Sequence, residues 1–148
     1  AKQQGSLEAL FLEGYIRNKS VMDGLKTLIS YLYDINPYRS RGYEFLLGKV
    51  PQNRITSPYK RWHMFLRWMV RHDNLDLGLW HGVERKDLLM PLDIHTFSVG
   101  KKLGLITHAR YDFKAVLELT QKLKEFDMND PVKYDFALYR IGQEKIVI

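Results

Sequence analysis

Apolar residues recur at spacings of three and four along most of the chain, which is the period of helices that pack through one face. The first two apolar stripes fall in residues 7–15 and 21–32, and similar stripes follow after residues 57, 93, 112 and 130. The alternation typical of a strand appears only weakly, at residues 145–148. The pattern therefore predicts an all-α protein.

Capping residues mark where several of these helices begin. Ser20, followed three residues later by Asp23, has the form of a capping box. Ser57-Pro58 combines an N-cap residue with a proline in the first turn, so it predicts a helix that runs to about Arg71. Later helices are predicted to start at Asp93, Asp112 and Asp130, and two of them to stop at Gly104 and Gly142.

Composition excludes several classes of protein. With 148 residues, 45% of them hydrophobic and 27% charged, the chain is typical of one folded domain. The absence of cysteine excludes disulfides, a thiol nucleophile and cysteine-bound metal sites. No apolar run approaches the roughly 18 residues of a membrane span, so we expect a cytoplasmic protein without a membrane partner.

Charge and motifs narrow the choice of ligands. The formal net charge of +6 permits a polyanionic partner such as nucleic acid. The five histidines form no His-x-x-x-His pair, and we therefore expect no bound metal. No glycine-rich phosphate loop is present, so no nucleotide cofactor is expected either. We expect a monomer.

The most basic stretch of the chain lies between Gln52 and His72, which holds five lysines and arginines and no acidic residue. On a helix from Ser57, one face carries Lys60, Arg67 and Arg71, and another face carries large apolar side chains. A solvated amphipathic helix is the simplest interpretation. A row of a single sign, however, also suits phosphate oxygens, which lysine and arginine bind with charge-assisted hydrogen bonds.

Residues 91–105 contain Pro91-Leu92-Asp93-Ile94-His95, then the lysines 101 and 102, then Leu-Gly-Leu. Taken alone, Asp93 is a helix N-cap. The whole string resembles the Pro-Val-Asp-Thr-His motif, basic helix and Leu-Gly-Leu of the helix-hairpin-helix DNA glycosylase superfamily. In that superfamily the aspartate of the motif is the catalytic carboxylate, so the resemblance implies this role for Asp93.

A lysine provides the second point of resemblance. Lys60 lies 33 residues before Asp93 and begins a Lys-x-x-x-x-Phe pattern that ends at Phe65. This spacing is similar to that of the archaeal-type 8-oxoguanine DNA glycosylases, whose lysine is the nucleophile. Residues 60–71, 76–80, 91–95 and 130–138 look most like a related, uncharacterised bacterial family.

The resemblance implies a bifunctional DNA glycosylase and AP lyase of bacterial base-excision repair. Lys60 would form a Schiff base and Asp93 would assist it, with damaged double-stranded DNA as the partner and an 8-oxoguanine-like purine as the excised base. The fold implied is one helical glycosylase-like domain over residues 1–148. The chain would then be the C-terminal part of a longer protein and would lack N-terminal helices that the superfamily has. The residues expected to contact DNA are Arg61, Arg67, Arg71, Lys101 and Lys102, and those expected to line a base pocket are Trp62, Trp68 and Trp80.

Two other hypotheses fit the same residues. A non-catalytic relative would keep the scaffold and the basic face, and would bind DNA without a working pocket. A helical interaction module would use its basic face on acidic protein partners and would show no preference for nucleic acid. The glycosylase and the DNA-binding relative would both be found at the nucleoid.

Overall fold

The computed structural model describes residues 6–144, and the regular elements in this range are helices joined by loops. The described residues form two 3-10 helices, Arg85–Asp87 and Pro131–Tyr134, and one isolated antiparallel bridge between His72 and Leu77. The all-α prediction is confirmed, while the weak strand predicted at residues 145–148 lies outside the described range. The α-helices are α1 (Leu7–Tyr15), α2 (Val21–Ile35), α3 (Arg41–Leu47), α4 (Lys60–Val70), α5 (Ile94–Lys102), α6 (Phe113–Lys124) and α7 (Asp135–Gln143).

The chain divides into two compact units, residues 1–55 and residues 56–148. In the first unit α1 packs on α2, and Phe11 and Leu25 are fully buried, as the apolar stripes predict. Gly24 allows the close approach, because a Cβ atom there would lie 2.5 Å from the Phe11 ring. Leu7 is the exception to the first stripe, since it is exposed at the first turn of α1.

The second unit contains α4 to α7, and its core includes Leu66 of α4 and Val116 of α6. Helices α5 and α7 pack closely, since a Cβ atom at Gly142 would lie 3.3 Å from Val99. Gly104 has a φ of 75° and follows the end of α5, so the predicted glycine stop is confirmed. This pairing of α5 with α7 positions the site described below.

The predicted caps at Ser20, Asp93 and Asp112 are confirmed, since each side chain accepts a hydrogen bond from the backbone N–H three residues on. The prediction for α4 is wrong at its start. This helix begins at Lys60, and Tyr59 precedes it in the left-handed region with a φ of 50°. Ser57 instead accepts a hydrogen bond from the Tyr59 N–H at 3.3 Å, within a turn before the helix.

The last helix also differs from the prediction at both ends. Pro131 opens a short 3-10 helix rather than an α-helix, and α7 proper begins at Asp135. Gly142 lies within the last turn of α7 instead of after it. Within residues 6–144, no helix combines the length and the apolar character that crossing a membrane would require.

Candidate functional site

The structure brings together two side chains that lie far apart in the sequence. Lys60 is the first residue of α4, and its Nζ lies 3.1 Å from Oδ2 of Asp93, the N-cap residue of α5. The Lys60 side chain is 39% exposed and that of Asp93 is 27% exposed. The first turn of α4 and the N-cap of α5 therefore position the pair, and both side chains remain accessible to solvent.

The two carboxylate oxygens of Asp93 have different partners. Oδ1 accepts a hydrogen bond from the Thr96 N–H at 2.8 Å, which caps α5, and Oδ2 faces Lys60. Burial raises the pKa of the Asp93 carboxyl, but the Thr96 N–H and the Lys60 ammonium outweigh it and hold the pKa below its usual value. The peptide before Asp93 is fixed as well, since the Tyr111 hydroxyl donates to the Leu92 carbonyl at 2.6 Å.

A small cavity of about 60 Å³ adjoins Asp93 between α5 and α7. This volume exceeds the roughly 10–15 Å³ that one water needs and is well below that of a complete drug-sized site. The walls offer a carboxylate, an imidazole, a phenol and an amide beside apolar surface. The lining residues are Asp93, His95, Thr96, Leu138, Tyr139, Gly142 and Gln143.

The basic face of α4 is neutralised by aspartates, which corrects the expected DNA-binding role of Arg67 and Arg71. Their side chains are only 14% and 10% exposed. Both point to carboxylates that come from later parts of the chain, so they are not available to phosphate oxygens. We call the group the arginine–aspartate cluster, which consists of Arg67, Arg71, Asp73, Asp76, Asp130 and Asp135.

Arg71 is the most connected member of this cluster. Its Nε and Nη2 donate to the two oxygens of Asp130 at 2.8 and 3.0 Å, and its Nη1 donates to Asp73 and Asp76. Burial disfavours the charged guanidinium, but the hydrogen bonds and charges of these aspartates outweigh it and raise the pKa of Arg71. Arg71 is thus a fixed positive charge inside the second unit.

Asp135 is a buried carboxylate of the cluster whose pKa is raised. Its side chain, 7% exposed, pairs with Nη1 of Arg67, while Nε of Arg67 donates to Asp76 at 3.1 Å. Burial raises the pKa of Asp135 to about 6 despite the Arg67 charge, and the negative charge of Asp93 adds to the effect. Asp135 therefore titrates near pH 6, and the charge of Asp93 contributes to this pKa.

The other cations predicted to bind DNA lie on the surface. Arg61, Lys101 and Lys102 are exposed, and Arg61 also makes contacts within the protein. Nζ of Lys101 donates to the His108 carbonyl at 3.1 Å and lies 5.6 Å from the centre of the Phe97 ring. Lys101 and Lys102 form the last turn of α5, at the opposite end of the helix from Asp93.

None of the three tryptophans predicted to form a base pocket lines the cavity beside Asp93. Trp80 is buried and meets Phe65 edge to face at 5.6 Å, and Phe65 meets Trp62 in the same way at 6.0 Å. Trp68 is 41% exposed at the far end of α4, where its carbonyl accepts hydrogen bonds from the loop that follows. Trp80 thus packs as a core residue.

Sequence reasoning missed the acidic partners of α4 and two residues of the cavity wall. Asp76, Asp130 and Asp135 lie in stretches that carry the family resemblance, but no local pattern shows that they face α4. Tyr139 and Gln143 reach the cavity because α7 packs on α5, a contact that periodicity alone does not specify. In the range 6–144, no group of three or more histidine, aspartate or glutamate side chains is arranged to hold a metal ion.

Comparison with known proteins gives a family but no activity. Neither the curated proteins nor the solved structures contain a significant match to the chain. Residues 1–144 match the family described as "Protein of unknown function (DUF2400)". Because this match spans nearly the whole sequence, the chain belongs to the DUF2400 family.

Proposed function

We propose that the protein is a DNA glycosylase and AP lyase that removes an oxidised purine from double-stranded DNA. The observation that carries this proposal is the 3.1 Å approach of Lys60 to Asp93 beside an open cavity. An amine and a carboxylate in contact, both partly exposed, provide the two groups that this reaction needs. The similarity to the helix-hairpin-helix glycosylase superfamily rests on the same two residues.

In the proposed reaction Asp93 takes a proton from the Lys60 ammonium and passes it to the departing base, so Asp93 is ionised again when charge develops on the sugar. The Lys60 amine attacks C1′ of the damaged nucleotide, and the N-glycosidic bond breaks with its electrons going to the base, which takes up that proton. The sugar ring then opens, O4′ takes a second proton from Nζ, and a Schiff base forms between Nζ and C1′. The carboxylate of Asp93 stabilises the positive charge that develops on the sugar. Its pKa, held below the usual value, supports this role because the group stays ionised at neutral pH.

The target base must leave the duplex before Lys60 can reach C1′, as in other enzymes that act on single bases. The cavity between α5 and α7 supports this step, because its walls place the Gln143 amide and the Tyr139 phenol next to Asp93. These groups offer hydrogen bonds to a base edge and an aromatic face to its ring. We therefore assign the oxidised purine to the cavity between α5 and α7, beside Asp93.

Surface charge supports a polyanionic partner even without Arg67 and Arg71. Removing the two arginines and the three buried aspartates of the cluster from the 23 basic and 17 acidic residues leaves 21 and 14, a formal charge of +7. Lys101 and Lys102 lie about 13 Å from Asp93 along α5, at 1.5 Å per residue. We propose that they hold backbone phosphates on the same stretch of duplex as the excised base, in DNA of the bacterial nucleoid.

The proposal is tested by trapping with borohydride, which reduces a Schiff base to a stable amine. Duplexes that contain 8-oxoguanine or an abasic site are expected to become covalently attached to the wild-type protein and not to Lys60→Ala. Lys86→Ala removes an exposed lysine of the same unit and should leave trapping unchanged. Absence of an adduct with every substrate, or equal trapping by Lys60→Ala, would refute the enzymatic proposal.

Asp93→Asn separates the chemical role of Asp93 from its structural one. Asparagine caps helices about as well as aspartate, so α5 should keep its start. The variant lacks the carboxylate, and base excision is expected to fall by at least 100-fold, as for the loss of one electrostatic stabiliser. If Asp93→Asn excises the base at the wild-type rate, Asp93 is only a cap.

The second hypothesis, a DNA-binding relative without catalysis, is favoured by one observation: the Lys60 ammonium already pairs with a carboxylate, as a purely structural ion pair would. This hypothesis predicts salt-dependent duplex binding that survives Lys60→Ala, with no trapped adduct. Binding and trapping measured on the same two proteins therefore separate the hypotheses. Preference for an acidic peptide over duplex DNA would favour the third hypothesis, an interaction module.

A further inference from the structure

Two ion pairs on one face of α4 connect this helix to the starts of two others. Lys60 pairs with Asp93 at the start of α5, and Arg67 pairs with Asp135 at the start of α7. The two cations are seven residues apart, about 10 Å along the helix, and share a face. Because α5 and α7 also pack on each other, the two pairs are parts of one three-helix arrangement.

Asp135 lies on the face of α7 that borders the cavity. The residues three, four and seven positions later, Leu138, Tyr139 and Gly142, all line it with Asp93. The charges that act on Asp135 come from two other helices: Arg67 and Lys60 on α4, and Asp93 at α5. Asp135 is thus a second carboxylate behind the Lys60–Asp93 pair, and Arg67 fixes its position.

The cluster holds more negative than positive groups in its interior. The side chains of Asp76, Asp130 and Asp135 are each less than 10% exposed and pair with the same two guanidinium groups. Asp130 is bound through both oxygens, and Asp76 is shared by both arginines. Among residues 6–144, Asp135 accepts one arginine hydrogen bond where each of the other two accepts two, so arginine contacts compensate its charge least.

We propose that Asp135 is a positioning residue of the Lys60–Asp93 site, and that its negative charge, held by Arg67, makes the Lys60 amine retain its proton. Ionised Asp135 stabilises the ammonium form of Lys60 and keeps it paired with Asp93. Neutral Asp135 weakens this hold and makes the amine more reactive. The charge of Asp135 on α7 thus controls the reactivity of the Lys60 amine on α4.

The first test measures the reactivity of Lys60 without DNA. The intact protein is treated at pH 7 with formaldehyde and cyanoborohydride, and methylation of each lysine is followed by peptide mass spectrometry. Asp135→Asn keeps an oxygen that can accept from Arg67 but loses the charge, and Lys60 should react about three- to tenfold faster, as expected for removal of one nearby unit charge. Lys101 provides the internal reference.

Asp130→Asn is the matched control, since it removes another buried carboxylate from the same cluster at its Arg71 end. Lys60 should change less than about twofold in this variant, because the lost charge is compensated at Arg71 and not near α5. An unchanged or lower rate in Asp135→Asn, or an equal increase in both variants, would overturn the proposal. The last result would indicate general loosening of the fold.

A second measurement uses the native aspartate and needs no Asp135 variant. In protein with ¹³C-methylated lysines, the Lys60 signal should show a step near pH 6, where Asp135 titrates, and the Lys101 signal should not. His95 lines the same cavity, so the titration is repeated in His95→Gln, where the step must persist. Its absence refutes the proposal. The proposal rests on the proposed function only for its catalytic consequence, since both readouts are independent of whether DNA is trapped.

Discussion

His63 makes the stability of the second unit sensitive to acid in a way that can be calculated. It lies on α4 and is 1% exposed, and among residues 6–144 neither of its ring nitrogens has a hydrogen-bond partner. Burial lowers the pKa of His63 from 6.5 to about 3. The unfolded chain therefore binds a proton at His63 below pH 6.5, whereas the folded chain does not until about pH 3. Stability is lost progressively as the pH falls through this range.

The magnitude follows from the difference between the two pKa values. Each unit of pH below 6.5 costs about 1.4 kcal/mol, so lowering the pH from 7.5 to 5.0 should remove about 2 kcal/mol from the free energy of unfolding. Asp135 acts in the opposite direction over part of this range. Because its pKa is raised to about 6, the folded state gains stability as the pH falls through 6 towards 3.8. The change in the free energy of unfolding with pH is thus the difference between the His63 and Asp135 contributions.

The variant His63→Leu isolates the histidine contribution. Leucine buries no unpaired nitrogen, so the variant should be about 1 kcal/mol more stable than wild type at pH 7.5. Its advantage should grow to about 3 kcal/mol at pH 5.0, because Asp135 is common to both proteins and cancels. The assay is urea unfolding at the two pH values, with His81→Leu, at an exposed histidine, as the control.

An advantage of His63→Leu that stays constant between pH 7.5 and 5.0 would refute this reasoning. It would mean that His63 is protonated in the folded state at pH 5.0, and so is not isolated from solvent or charge. A direct check is the His63 ring signal in an NMR titration, which should not move between pH 8 and pH 5. Movement of that signal would refute the same argument without a mutation.

Three further predictions concern packing and charge. Arg71→Leu leaves Asp130 buried without its guanidinium and Asp76 with Arg67 alone, so urea unfolding should show a loss of about 3–5 kcal/mol, while Lys86→Leu at an exposed pair should show little change. Gly24→Ala places a Cβ atom 2.5 Å from the Phe11 ring and should cost about 1–3 kcal/mol in thermal unfolding; an unchanged melting temperature would contradict the packing described for α1 and α2. Replacing Lys101 and Lys102 by glutamine should lower the slope of log affinity for duplex DNA against log salt by about 2, and an unchanged slope would exclude them from phosphate contact.

Helices were predictable because their signals are local. The apolar period and the caps at Ser20, Asp93 and Asp112 each depend on residues within one or two turns of the chain. The start of α4 was not predictable in this way. Ser57-Pro58 is a good local start signal, yet the chain turns once more through Tyr59 at a φ of 50° before the helix begins. Tyr59 is buried there, and packing of this kind overrides a local preference.

The ion-pair partners of α4 could not be predicted from the residues around this helix. Between Gln52 and His72 there is no acidic residue, so the arginines are interpreted as a free basic face. The structure pairs Arg67 with Asp135, 68 residues away, and Arg71 with Asp130, 59 residues away. These carboxylates lie at the starts of the last two helical segments, which a sequence window around α4 does not include. Lys60 and Asp93, 33 residues apart, were connected by resemblance and not by any local pattern.

Burial of the arginine–aspartate cluster changes which charges are exposed to solvent. Its buried members are two arginines and three aspartates, so the remaining residues are more basic than the whole sequence suggests. The same cluster fixes α4, and α4 presents Lys60 to Asp93. The buried charges therefore hold α4 in place, while the lysines at the end of α5 stay exposed to solvent. This division explains how a row of like charges on α4 can be structural in a protein whose net charge is positive.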